Sequence, residues 1–167
     1  AAGEGKKIWP YSSTRQKAAL PLANKPIIRW QVEKLRKTGV ENIIVVVGYR
    51  KQQVLNALVG IDNILFVDQE GTGTTGALLS GLKQVDDDSF VLLYGDVVLT
   101  FDEIQKFCDS PGDAICSALV NPLGSELPQN WMCANVTNDT IDAVLGHPRD
   151  DVTHRFAGLF VLSKSFL

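Results

Sequence analysis

Asn42-Ile43-Ile44-Val45-Val46-Val47-Gly48 is a run of β-branched residues with no polar alternation, closed by a glycine. Alternation would mark a strand with one wet face, whereas an unbroken apolar run predicts a central strand covered on both faces. Before it, Pro26 to Lys37 predicts a helix, with Asn24 or Lys25 at its start, Pro26 in the first turn, Ile28, Val32 and Leu35 on one face, and Gly39 at its end. After it, Lys51 to Leu58 predicts a short helix, Ile64-Leu65-Phe66-Val67 a second buried strand, and Thr75 to Val85 another helix. Phe90-Val91-Leu92-Leu93-Tyr94 reads as a third strand, Thr100-Phe101-Asp102-Glu103 as a capping box opening a helix to Cys108, and Ala114 to Val120 as a fourth strand. Strands alternating with helices at these lengths predict an α/β fold: a mostly parallel sheet with helices on both faces. Trp131 to Val136, Ile141 to Leu145 and Phe156 to Leu162 are strand-like and joined by turns, so the second half is expected to add antiparallel strands.

A length of 167 residues suits a single domain spanning 1–167. The formal net charge of -3 argues against a nucleic-acid partner, which would need a basic face to displace counterions. Cys108, Cys116 and Cys133 are odd in number and lack C-x-x-C spacing, which predicts reduced core thiols rather than a disulfide framework or a zinc site. No apolar stretch approaches the ~20 residues needed to cross a bilayer, and no signal-peptide pattern appears. A soluble, cytoplasmic protein without a membrane partner is expected, and a homo-oligomer is compatible with the sequence. The chain starts without Met, and no buried strand precedes its opening glycines; it stops just after an apolar run. A domain truncated at both ends is therefore expected.

Ligands of α/β sheets bind at the carboxyl ends of the strands. Gly48, the Gln69 to Thr75 loop and Gly95-Asp96 are expected on the same edge as the opening turn Ala1-Ala2-Gly3-Glu4-Gly5-Lys6-Lys7, so that four turns meet at one crevice. Glycines let a backbone approach an anion closely, and the lysines that follow, with Lys17 in Gln16-Lys17-Ala18-Ala19-Leu20-Pro21, offset its charge. Gly3-Glu4-Gly5 alone is equally compatible with a solvated terminus. Gly71-Thr72-Gly73-Thr74-Thr75-Gly76 satisfies G-x-G-x-x-G, with Asp96 downstream, which leaves a dinucleotide-binding reading open. Asp96, following Tyr94-Gly95, has a carboxylate suited to magnesium, which takes one or two carboxylates and completes its shell with phosphate oxygens and water; a turn-capping aspartate is the alternative.

Ala1-Ala2-Gly3-x-Gly5-x-x-x-x-Pro10, then Lys17-x-x-Leu20-Pro21-x-x-Asn24-Lys25-Pro26, Gly73-Thr74-Thr75-Gly76-Ala77 and Tyr94-Gly95-Asp96, in this order, resemble the sugar-phosphate nucleotidyltransferases. The resemblance implies a Rossmann-like domain that joins a nucleoside triphosphate to a sugar 1-phosphate with release of pyrophosphate, using Mg2+. It implies that Ala2, Gly3 and Gly5 cradle the nucleotide, that Lys17 and Lys7 act on its phosphates, and that Asp96 holds the metal. Gln69, Gly73 and Thr74 would face the nucleobase, the repeated Gly-Thr pairs leaving that register open by two residues, and Gly158 would lie on the sugar side. UTP or dTTP is the implied donor.

Several positions depart from the family pattern. Lys7 stands where the family usually has Arg, losing the planar two-pronged grip on phosphate. Gly146-His147-Pro148 stands where Glu-Lys-Pro is common, and Phe156 replaces the asparagine expected before Ala157-Gly158. A second metal ligand is expected beyond Leu167. These departures keep a second reading alive, a catalytically degenerate nucleotide-sugar-binding regulatory domain, beside a third, a NAD-binding oxidoreductase domain.

Overall fold

The computed structural model describes residues 1–109, 114–145 and 151–166. In chain order the regular elements are strands β1 (Pro21–Leu22) and β2 (Lys25–Pro26), helix α1 (Ile27–Lys37), β3 (Ile43–Val47), α2 (Lys51–Ala57), β4 (Ile64–Asp68), α3 (Gly73–Leu82), β5 (Ser89–Leu93), α4 (Phe101–Asp109), β6 (Cys116–Pro122), β7 (Cys133–Thr137), β8 (Thr140–Leu145) and β9 (His154–Ser163). The fold is mixed α/β. Its residues divide into two units, one of Ala1–Asp88 with Tyr94–Ser110, the other of Ser89–Leu93 with Pro111–Leu167.

In the first unit β3 and β4 pair in parallel, Ile43 opposite Ile64 through Val47 opposite Asp68. Side chains alternate across a strand. Ile43, Val45 and Val47 are buried on one face, while on the other Val46 meets α3 so closely that a Cβ on Gly81 would come within 3.0 Å of Val46 Cγ2. β4 corrects one expectation. Leu65 and Phe66 are 47% and 36% exposed, so this apolar strand is not covered on both faces.

Helix α1 buries Ile28, Gln31, Val32 and Leu35, the stripe that the spacing predicts with one polar member added. Each apolar member contributes roughly 1.5–3 kcal/mol by leaving water. Pro26 is not in the first helical turn but just before it, in extended conformation. The segment ahead of it folds back as a hairpin, Leu22 opposite Lys25, with Ala23 and Asn24 both at positive φ (49° and 63°), the backbone sense that a tight two-residue hairpin turn requires. The predicted capping box forms at the start of α4: Thr100 Oγ1 accepts from Glu103 N at 3.2 Å, and Glu103 Oε2 accepts from Thr100 N at 2.6 Å.

In the second unit the long strand β9 is the centre of an antiparallel sheet. β6 runs along it from Pro122 opposite His154 to Cys116 opposite Leu162. β5 pairs with its carboxyl half, Leu93 opposite Leu159, β7 with its amino end, Cys133 opposite Arg155, and β8 adds to β7. The apolar run expected as a third strand thus forms at 89–93, with antiparallel β9 as its hydrogen-bonded partner. Between Ala118 and Val120 the register with β9 shifts by two residues, and Gly158, buried at φ 84°, lies in the excess on β9. A bulge with a left-handed residue accounts for a glycine there. All three cysteines are free, and burial pushes each thiol above its ordinary value.

Candidate active site

The opening dipeptide occupies a slot in the first unit between two glycines. A Cβ on Gly48 would lie 3.0 Å from Ala2 O, and a Cβ on Gly95 3.0 Å from Ala1 Cβ. Tyr49 N donates to Ala2 O at 3.0 Å, and Gln69 N donates to Val47 O at 2.8 Å beside the same glycine. Three of the expected turns and the amino terminus therefore do meet, because glycines remove the side chains that would hold the backbones apart. Beyond the slot, Gly3 faces open space, whereas Gly5, at φ 67°, enters a 3-10 turn over Lys6–Ile8 with Lys17 Cβ 3.4 Å from where its own Cβ would be. Ala2 is buried, and Lys7 is exposed on the turn.

Lys17 begins another 3-10 turn, Lys17–Ala19, and its Nζ lies 2.6 Å from Asp96 Oδ2. Sequence reasoning did not find what places it there. Gln16, 2% exposed, accepts at Oε1 from Ala18 N (2.5 Å) and Ala19 N (3.3 Å) and donates from Nε2 to Ala1 O (2.7 Å). Its backbone N donates to Gln53 Oε1 on α2 at 2.8 Å, while Gln53 Nε2 donates to Thr14 O at 2.9 Å. Two glutamines thus tie α2, the lysine turn and the root of the glycine turn together. The one available signal was a glutamine directly before Lys17.

Asp96 is held from α1. Gln31, buried in the helix face, donates from Nε2 to Tyr94 O at 3.0 Å and also to Val97 O, and Lys34 Nζ donates to Leu99 O. The loop that carries the carboxylate is pinned on both sides of it. Tyr94, next to this loop, has its phenol pushed above the ordinary range by burial first and by the charge of Asp96 second.

The Gln69 to Thr75 loop is closed by its own glutamine. Gln69 Nε2 donates to Gly73 O at 2.9 Å, Gly71 and Gly73 have φ of 76° and 68°, and a Cβ on Gly76 would strike Glu70 O at 2.8 Å. All three glycines of the G-x-G-x-x-G pattern are thus required by the loop itself. Buried Ser80 accepts from Glu70 N at 2.8 Å and donates to Gly76 O at 2.8 Å, anchoring the loop to α3. Gly73 and Thr74 are exposed, in the first turn of α3, two residues earlier than the predicted helix start.

Lys17, Asp96, Ala2, Gly3, Gly5, Lys7, Gln69, Gly73 and Thr74 all belong to the first unit, and Gly158 to the second. Gly146-His147-Pro148 lies outside the described residues. Phe156 is buried, its ring centroid 5.6 Å from that of Phe160.

The bifunctional protein GlmU of Methanococcus maripaludis is 28% identical over 168 residues, covering 98% of this chain and 39% of that protein. The GlmU of Francisella tularensis subsp. novicida is 36% identical over 130 residues, covering 74% of this chain and 28% of that protein. The chain therefore spans well under half the length of these curated relatives. In fold, it resembles the inositol-1-phosphate CTP transferase from T. maritima, with a TM-score of 0.81 at 21% identity over 99% of this chain and 69% of that one. A family model described as the MobA-like NTP transferase domain matches residues 1–149, a span that contains the glycine slot, the Lys17–Asp96 pair and the Gln69 loop. By that match the chain belongs to the MobA-like NTP transferases, alongside the sugar-phosphate nucleotidyltransferases whose motifs it carries.

Proposed function

We propose that this chain joins a nucleoside triphosphate, UTP or dTTP, to a sugar 1-phosphate and releases pyrophosphate. The observation that supports it most is the 2.6 Å approach of Lys17 to Asp96 beside the glycine turn: one cation and one metal-type carboxylate at the mouth of a backbone cradle. In the reaction, an oxygen of the sugar phosphate attacks the α-phosphorus in line, the new O–P bond forms, and the bond to the β-phosphate oxygen breaks. Positioning and charge neutralisation supply most of the rate in such transfers, so no protein nucleophile is required. Backbone groups of Ala2, Gly3 and Gly5 would hold the triphosphate. Lys17 and Lys7 would offset charge on the departing pyrophosphate, and Gln69, Gly73 and Thr74 would meet the base. Gly158 would contribute to the sugar side.

The donor set at Asp96 fits Mg2+. A hard cation takes one or two carboxylates and completes its shell with substrate phosphate oxygens and water, so the single carboxylate of Asp96 is a donor of the right type. Asp96 would hold it, and when bound it would supply charge neutralisation at the phosphates. Phosphate arriving beside Lys17 would also loosen that side chain from the carboxylate.

A regulatory, non-catalytic reading is favoured by one observation: Phe156, where the family pattern has asparagine, is buried with its ring against that of Phe160 and has no polar side-chain atom to offer a sugar. A pyrophosphate-release assay with UTP or dTTP and a panel of hexose 1-phosphates separates the two. Release with any acceptor supports the transferase; triphosphate binding without release supports the regulatory domain.

A further inference from the structure

Gln31 is 5% exposed and stands in the stripe by which α1 packs, beside Ile28, Val32 and Leu35. A carboxamide in that position gives up water and costs stability unless its polar atoms find partners, so an aliphatic residue would serve the packing at least as well. Its Nε2 directs its donors outside the helix, to Tyr94 O at 3.0 Å and to Val97 O. Those two carbonyls bracket Asp96.

Tyr94-Gly95-Asp96-Val97 has the span of a four-residue turn, and the bond that would close it, from Val97 N to Tyr94 O, is long at 3.5 Å. The turn is therefore held from outside. Gln31 ties its first and last carbonyls to one nitrogen, and Gly95 lies against the amino terminus, where a Cβ would come within 3.0 Å of Ala1 Cβ. One helical turn beyond Gln31, Lys34 Nζ donates to Leu99 O, and Glu103 Oε2 accepts from Thr100 N, so the exit from the turn into α4 is fixed as well. The ion pair of the Asp96 side chain with Lys17 is about one-third exposed and weak, which leaves the aim of the carboxylate to the backbone beneath it.

We propose that Gln31 is a positioning residue for Mg2+: by fixing the 94–97 turn it aims the Asp96 carboxylate, and it sets metal affinity without touching the metal. Removing an outer partner of a metal ligand changes metal affinity or activity by about 10–100-fold. The effect on the metal rests on Asp96 being the magnesium ligand, as proposed above, whereas the hold on the turn does not.

Gln31→Met keeps an unbranched side chain of similar length and removes both donors. The measurements are amide hydrogen exchange over residues 94–99, Mn2+ binding followed by its electron paramagnetic resonance signal, and pyrophosphate release across a range of MgCl2. Exchange over 94–99 is expected to quicken while β3 keeps its protection, and Mn2+ affinity and the MgCl2 midpoint are each expected to weaken about tenfold or more. KM for the sugar phosphate is expected to stay unchanged. Unaltered exchange over 94–99 overturns the hold on the turn, and faster exchange with undiminished Mn2+ binding overturns the positioning role. If Gln31→Met does not fold, Gln31→Asn, one methylene too short to reach both carbonyls, is read in its place with the same outcomes deciding. Mn2+ binding that is absent from the parent, or kept in full by Asp96→Asn, also overturns the positioning role. Mn2+ binding weakened in Gln31→Met while the parent releases no pyrophosphate would reject only the transferase reading.

Discussion

Lys17 Nζ and Asp96 Oδ2 are 2.6 Å apart, with 35% and 34% of the two side chains exposed. An ion pair this accessible to water is worth on the order of 1 kcal/mol or less, so an arriving phosphate can take over the lysine at little cost. The pair is a resting arrangement rather than a structural clamp. Lys17→Ala is accordingly expected to leave the thermal melt within a few degrees of the parent and to lower pyrophosphate release by about 10²–10³, the usual loss on removing one charge-stabilising donor. Near-normal turnover would exclude Lys17 from the reaction.

Asp96→Asn keeps the shape of the side chain and removes its charge. The expected outcome is a magnesium titration displaced to higher concentration, followed by pyrophosphate release across a range of MgCl2. An unchanged titration curve would remove Asp96 as a metal ligand.

Gln16→Leu preserves approximate volume in a buried site and deletes three side-chain hydrogen bonds, those with Ala18 N, Ala19 N and Ala1 O. Each buried group left unpaired costs about 1–3 kcal/mol. The variant should melt earlier, and in steady-state kinetics KM for the triphosphate should rise more than KM for the sugar phosphate, because both the lysine turn and the root of the glycine turn lose their tie. A melt indistinguishable from the parent would show those bonds to be unimportant.

Gly76→Ala adds a Cβ that meets backbone, Glu70 O at 2.8 Å and Gly71 C at 3.0 Å, rather than a flexible side chain. Overpacking of this kind costs about 1–3 kcal/mol. Chemical denaturation should show that loss, and Gly3→Ala, where a Cβ meets nothing within 4 Å, should not.

Thr100→Ala removes the cap of α4 and is expected to cost ~1 kcal/mol at neutral pH. Glu103, its partner in the box, is held below its ordinary value of 4.5, first by the hydrogen bond from Thr100 N and then by that from its hydroxyl. A depressed carboxyl stabilises the fold above 4.5 and loses that contribution as pH falls through its lower, folded value. The difference between parent and variant in urea melts should therefore shrink on acidification to about pH 3, well inside the carboxylate range. A difference constant with pH would mean that the Thr100 hydroxyl adds nothing to the carboxylate of Glu103, whose bond from the backbone N at position 100 the variant keeps.

What was legible in the sequence follows from where the controlling interactions lie. The capping box, the α1 stripe and the glycine-ended strand β3 depend on near neighbours, and each formed where the spacing put it. The Lys17–Asp96 encounter was legible only through motif order, since no local rule brings those two positions together. Gln16, Gln53 and Gln31 were missed because each acts on backbone carbonyls and amides from other parts of the chain, and a lone glutamine carries no pattern. β4 was misjudged because its composition matches that of a covered strand; exposure is decided by which neighbours the topology supplies. β5 formed within one residue of its predicted bounds, but its antiparallel partner was not legible, because an apolar run is equally compatible with either strand direction.

The slot between Gly48 and Gly95 is one main chain wide, and it grips Ala1-Ala2 but not Gly3. The opening turn is therefore walled in at its first two residues and open around its third, so a methyl group added at Gly48 or Gly95 would press on the main chain of Ala1-Ala2, whereas one added at Gly3 would press on nothing.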